Sequence, residues 1–260
     1  MQRRYDIKEQ RGERAVLNQY LIFTGMNIVI TGASRGLGRA IAEKFAADKQ
    51  GHGLLLCARQ KEPLSRFSKE LQARYPRTTV HSIACDLSAK KGVSTLAQWI
   101  ASLNLPVDVL VNNAGSFIPG SIHLEKEGTL ELMISVNLYS AYYLTKAILP
   151  GMMERKAGHI FNMCSVASLN AYPNGGSYSI SKYALLGFSK NLRYELKEHG
   201  VKVTAVIPGA TYTDSWSGAG LDPDRLMDPS DVAEMVYAAA FLSARAVPEE
   251  ILLRPQLGDL

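Results

Sequence analysis

The chain has 260 residues, 47% of them hydrophobic and 20% charged, with a formal net charge of +5. That is ordinary globular composition with enough length for a sizeable core. The basic residues are scattered, which argues against a nucleic-acid groove, and no apolar run reaches the ~20 residues that span a bilayer.

Cys57, Cys85 and Cys164 each sit in an apolar run that reads as a strand. An odd count without paired spacing argues against disulfides and against a zinc site. Buried thiols in a reducing, cytoplasmic compartment are expected. No metal site is expected. Residues 1–25 mix both signs of charge and read as a non-catalytic extension, with the domain proper over 26–260.

From Met26 onward, short β-branched or aliphatic runs alternate with longer helical ones, which implies βαβ units and a parallel sheet. Strands are expected at Asn27–Thr31, Leu54–Ala58, Val80–Cys85, Val107–Val111, His159–Met163, Val201–Ile207 and Ile251–Arg254. Helices are expected at Arg39–Ala47, Leu64–Arg74, Val93–Leu103, Thr129–Met153 with a break near Pro150, Tyr178–His199 and Asp231–Ser243. The stretch Thr213–Pro229 is rich in Gly, Ser, Asp and Pro and reads as a long functional loop.

The first strand runs into Thr31-Gly32-Ala33-Ser34-Arg35-Gly36-Leu37-Gly38. Glycines there let the backbone turn tightly and approach a pyrophosphate at a helix N-terminus. The spacing is Gly-x3-Gly-x-Gly, not Gly-x-Gly-x-x-Gly. Arg59 follows the second strand, where an acid favours NAD and a cation accommodates a 2′-phosphate. With no acid there, and with Arg35 as a second positive contact, NADP(H) is expected over NAD(H). Asp86, before Leu87, is placed to accept from an adenine amino group or to cap the next helix. Asn112-Asn113-Ala114-Gly115 closes the fourth strand with small residues and amides, which suits a ligand crevice. Asn137 lies mid-helix, where Asn competes for backbone bonds, and reads either as a local kink around a water or as a residue tolerated on a polar face. Ser165 ends the fifth strand.

Tyr178 and Lys182 stand four residues apart on one expected helix face. A free phenol titrates near pH ~10, and a fixed cation nearby stabilises its ionised form. Such a pair can act as a general acid or base.

Taken together, Thr-Gly-x3-Gly-x-Gly at 31–38, Asn-Asn-Ala-Gly at 112–115, Asn137, Ser165, Tyr-x3-Lys at 178–182 and Pro-Gly at 208–209 resemble the short-chain dehydrogenase/reductase family. The resemblance implies an α/β doubly wound Rossmann fold with a seven-stranded parallel sheet in the order 3-2-1-4-5-6-7. It also implies a nicotinamide cofactor and a homodimer or homotetramer. By resemblance, Tyr178 is the proton donor, Lys182 binds the nicotinamide ribose, Ser165 holds the carbonyl oxygen and Asn137 holds a relay water. Gly32, Ser34, Arg35, Gly36, Leu37, Gly38, Arg59, Asp86, Leu87, Asn113, Ala114 and Gly115 would contact the cofactor. Pro208, Gly209, Thr211 and Thr213 would meet its nicotinamide end.

The stretches Gly209–Trp216 and Glu249–Asp259 resemble bacterial sepiapterin reductases, which implies a pterin side-chain ketone as substrate. Trp216 is then expected to stack on the flat ring, and Asp259 to face its amino-pyrimidine edge. A 3-oxoacyl carrier-protein reductase, a general alcohol dehydrogenase, and an NADP-binding regulatory protein without turnover are the alternatives. The expected partner is a small carbonyl or alcohol, with neither nucleic acid nor membrane.

Overall fold

The computed structural model describes residues 25–213, 220 and 222–260. Seven strands form one parallel sheet in the order β3-β2-β1-β4-β5-β6-β7. They are β1 (Asn27–Thr31), β2 (Gly53–Ala58), β3 (Thr79–Ala84), β4 (Val109–Asn112), β5 (Gly158–Met163), β6 (Val201–Pro208) and β7 (Glu250–Leu253). Strands buried on both faces need near-continuous apolar sequence, which Ile28-Val29-Ile30 and Leu54-Leu55-Leu56 supply.

Successive side chains alternate between the two faces. Ile28, Ile30, Leu54 and Leu56 pack with α1 (Gly36–Ala47), α2 (Lys61–Arg74) and α7 (Pro229–Ala240). Val29, Leu55, Leu110 and Ile160 pack on the opposite face. The helices there are α3 (Lys90–Ser102), α5 (Ser140–Arg155) and α6 (Gly176–Leu196). α4 (Thr129–Ile134) precedes a π-helical turn, Ser135–Tyr139, which leads into α5.

The expected break at Pro150 is not there: α5 runs through it to Arg155. The irregularity falls instead at Ser135–Tyr139, around Asn137. π-Turns inside helices are frequent at functional sites. Cys85 and Cys164 lie just past β3 and β5 rather than within them, and all three cysteines are buried and free. Among the described residues no helix is long and apolar enough to cross a membrane. No group of three or more His, Cys, Asp or Glu there could hold a metal ion.

Chain order reverses between β1 and β4, which both pair with parallel partners. In open parallel sheets the crevice beyond the strand ends at such a switch point receives ligands. That position sets the site.

Candidate functional site

A cleft of about 1060 Å³ opens along the carboxyl ends of the strands. Its walls include Gly32, Ser34, Arg35, Gly36 and Leu37 from the β1–α1 turn and Arg59, Asp86 and Leu87 beyond β2 and β3. Asn113, Ala114, Gly115, Ser165, Tyr178 and Lys182 follow, then Pro208, Gly209, Thr211, Thr213 and Asp259. Residues expected at a site from scattered positions in the chain thus meet in one place. Gly38 and Asn137 are not among its lining residues but touch ones that are, Gly38 the Gly32 and Asn113 pair and Asn137 Ser116. Trp216 lies outside the described residues, as do residues 1–24.

The glycine turn is locked by the fourth strand. Gly32 adopts φ +66°, a left-handed conformation that suits glycine. Asn113 donates its side-chain amide to the carbonyls of Thr31 at 2.8 Å and Gly32 at 3.2 Å. Thr31 Oγ1 accepts from the N–H groups of Asn113 and Ala114, both at 2.9 Å. The Asn113 amide therefore holds the turn, leaving its backbone to face a ligand. A side chain at Gly38 would overlap the Asn113 amide and the Gly32 carbonyl. α1 has no side-chain cap bond and no acid in its first turn, so its free N–H groups and positive dipole end suit an anionic group.

At the far end of the cleft Asp86 accepts the Ser88 N–H at 3.0 Å. That bond, the Ser88 side chain and the charge of Arg59 hold its carboxyl below the ordinary value, against the opposing effect of burial. Asp86 makes a local turn rather than a helix cap, because α3 begins only at Lys90. Cys85 beside it is raised by burial and tempered by its contact with Cys57.

The centre of the cleft is more tightly built. Lys182 is 6% exposed, and its ammonium donates to the Met163 carbonyl at 2.7 Å. The same nitrogen lies 5.7 Å from the centre of the Tyr178 ring. An ammonium has three donors, so two remain for the cleft. Ser165 Oγ accepts the Ala167 N–H at 3.2 Å, which leaves its own O–H free to donate. Burial pushes the Cys164 thiol up to about 11, partly offset by the Lys182 charge and by bonds from Ser189 and Ser168.

Asn137 is 1% exposed, and its amide is fully engaged. It accepts from Ser116 N–H at 2.7 Å and donates to the Ser116 carbonyl at 3.0 Å and to Ser181 Oγ at 2.8 Å. A Cβ at Gly115 would sit 3.2 Å from Asn137 Oδ1 and 3.7 Å from Lys182 Nζ. Asn137 and Lys182 therefore flank the same small residue.

Sequence reading missed part of the wall. Phe117 stands edge-on to Tyr178, with ring centres 4.9 Å apart. Tyr172 lines the cleft too, and its phenol is raised by burial and by Tyr178 nearby. Both sit in loops of mixed composition, and their position beside Tyr178 follows from tertiary folding alone. The aromatic step in Tyr172-Pro173, just ahead of α6, was the available signal. Asp259 is carried back to the cleft by the final turn and pairs with Arg254. Its Oδ1 lies 3.4 Å from the position a Cβ on Gly209 would take.

A profile of short chain dehydrogenases matches residues 26–223. The chain belongs to the short-chain dehydrogenase family. It is an NAD(P)-dependent oxidoreductase acting on CH–OH or C=O groups. Over 239 residues it is 34% identical to a sepiapterin reductase of Chlorobaculum tepidum, covering 90% of this chain and 97% of that one. It is also 34% identical to a metagenomic short-chain oxidoreductase solved in complex with NADP. That match has a TM-score of 0.78 and covers 90% of this chain and 98% of the other. L-sorbose reductase of Gluconobacter frateurii, solved with NADPH and L-sorbose, superposes with a TM-score of 0.81 at 26% identity. There the coverage is 88% of this chain and 95% of that one.

Proposed function

We propose that this chain is an NADPH-dependent carbonyl reductase in which Tyr178 donates the proton. The observation that carries the reading is the convergence of Tyr178, Lys182 and Ser165 on the cleft that begins at the glycine turn. Gly32, Ser34, Arg35, Gly36 and Leu37 would hold the pyrophosphate, and Arg59 with Arg35 would take the 2′-phosphate. Asp86, Leu87 and the Asn113–Gly115 backbone would line the adenosine half. Pro208, Gly209, Thr211 and Thr213 would line the nicotinamide end.

When bound, the nicotinamide supplies the hydride. The protein's part is to handle the charge that grows on the carbonyl oxygen. Ser165 donates a hydrogen bond to that oxygen, and the Tyr178 O–H transfers its proton there. The phenolate left on Tyr178 is stabilised by the buried Lys182 ammonium. Asn137 holds the Ser116 backbone and Ser181, fixing the floor between Gly115 and Lys182.

For the substrate we favour a pterin-like side-chain ketone. Three things support it: the Chlorobaculum tepidum relative, the aromatic wall of Phe117 and Tyr172, and a carboxylate at Asp259. Asp259 would accept from the amino-pyrimidine edge, with Trp216 as a further aromatic. The enzyme would work as a homodimer or homotetramer.

The test follows NADPH absorbance with sepiapterin and a panel of diketones, comparing wild type with Tyr178→Phe. Turnover by wild type and its loss of at least about 100-fold in the variant are expected, with NADPH binding retained. Cofactor binding with no consumption by either protein would leave a regulatory role instead.

A further inference from the structure

Helix α6 carries Tyr178 and Lys182, yet it begins without a cap of its own. Gly175 precedes it and supplies no side-chain bond. The first N–H groups of a helix have no partner within it. Here the partner comes from a distant loop. Glu125 Oε1 accepts the Ser177 N–H at 2.8 Å, and Oε2 accepts the Ser177 hydroxyl. Ser177 is 2% exposed and directly precedes Tyr178. A carboxylate there also meets the positive end of the helix dipole.

The surrounding residues make room for this contact. Gly176 has φ +36°, and a Cβ on it would overlap both Glu125 Oε1 and the Gly120 carbonyl. A Cβ on Gly120 would press on Glu125 Cγ at 3.1 Å. Two further bonds run alongside. Gly120 N–H donates to the Asn174 carbonyl at 3.0 Å, and Ser121 Oγ donates to Asn174 Oδ1 at 3.3 Å. The loop after β4 is thereby stitched to the start of α6. That loop supplies Ser116, Phe117 and Pro119 to the cleft, and the segment before α6 supplies Asn170, Tyr172 and Asn174.

We propose that Glu125 is a positioning residue for the reaction. It fixes the first turn of α6, so that the Tyr178 phenol holds its place against Phe117 and the loop that borders the substrate. This rests on the reading of Tyr178 as proton donor. Glu125 acts through Ser177 and the helix, and its effect belongs to the chemical step rather than to cofactor binding. The glycine turn and Arg59 lie elsewhere along the cleft.

The experiment measures kcat and KM for the best ketone of the panel, and the NADPH Kd by fluorescence, in full-length variants. Glu125→Ala is expected to lower kcat about tenfold, since a small misplacement of a reacting group is costly. Its NADPH Kd should stay within about twofold of wild type. Glu125→Gln keeps one of the two acceptors and should recover part of kcat. It also carries the test if the alanine variant does not fold. Ser177→Ala removes the hydroxyl bond alone and should lower kcat too, and the double variant should fall no further than Glu125→Ala, which already lacks that bond. A wild-type kcat in Glu125→Ala or in Glu125→Gln, alongside an inactive Tyr178→Phe, overturns the positioning role and leaves the proton-donor reading intact. Equal losses in kcat and in NADPH affinity also overturn it, since they mark general loosening. Full turnover in Tyr178→Phe overturns the proton-donor reading itself, and this inference with it.

Discussion

Lys182 is pinned to the carbonyl of Met163, the last residue of β5, by a bond of 2.7 Å. One helix and one strand end thus fix a buried ammonium beside the Tyr178 ring. Burying an unpaired ammonium is costly, and this bond with the open cleft offsets that cost. Lys182→Met removes the charge while keeping an apolar stem of similar length. It should lower kcat by at least about 100-fold and weaken NADPH binding. Lys182→Arg should not restore turnover, because the planar guanidinium cannot occupy the same point. Steady-state kinetics and an NADPH titration check this, and near wild-type kcat in Lys182→Met would rule the role out.

Arg59 lies beyond β2, at the end of the cleft proposed to take the adenosine half, with its charge felt by Asp86. Replacing it by Asp puts a carboxylate where a ribose 2′-hydroxyl would donate to it and a 2′-phosphate would be repelled. The ratio of NADPH to NADH affinity should fall by about tenfold or more in Arg59→Asp, since a charge-assisted phosphate contact is lost and a repulsion added. Parallel fluorescence titrations with the two cofactors give the answer. An unchanged ratio would move the selectivity elsewhere, Arg35 first.

Much of the fold was legible because a parallel sheet needs uninterrupted apolar strands. Asn27–Thr31 is read from sequence with both ends correct, and the order of the strands follows from the family resemblance. What the sequence hid is long-range. Nothing local distinguishes Glu125 from Glu127, since its partner Ser177 lies 52 residues on. Pro150 reads as a helix breaker, yet α5 continues through it. The real irregularity at Ser135–Tyr139 carries no proline or glycine. Asn137 marked it, because an interior Asn needs partners outside the helix, and Ser116 and Ser181 provide them. The Asn113 amide shows the reverse case. Its motif pointed to ligand contact, whereas the side chain is committed to the Gly32 turn.

Gly38 tests that turn directly. It is fully packed between the Asn113 amide and the Gly32 carbonyl, with no space for a Cβ. Gly38→Ala must displace either the helix or the turn, and overpacking of this kind costs about 1–3 kcal/mol. Thermal unfolding should show a lower Tm, and NADPH binding should weaken with it. A variant with unchanged Tm and unchanged Kd would show that the turn tolerates relaxation.

A last prediction concerns acid stability, away from the cleft. Asp48 follows α1, and its Oδ2 accepts the hydroxyl of Tyr237 on α7. The same oxygen faces His52 Nε2 at 3.2 Å. His52 is fully buried, and its Nδ1 accepts the Met26 N–H at 3.0 Å. The ring proton therefore sits on Nε2 and is donated to Asp48. Burial alone would raise the Asp48 carboxyl, but bonds from Tyr237, His52 and the Gln50 N–H outweigh it, and the net shift is downward. A carboxyl that is more acidic folded than unfolded adds stability above its unfolded value of about 3.9, and loses it as pH falls through the lower folded value. Tyr237→Phe removes one of those bonds. At pH 7 it should be less stable than wild type by roughly 1.5–3 kcal/mol, the range for a hydrogen bond to a charged group. As pH falls below about 4 the gap should narrow, because wild type then surrenders the same contribution. Urea unfolding of both proteins across that range measures it, and a gap that stays constant down to the lowest pH would show that the Asp48 charge contributes nothing through Tyr237.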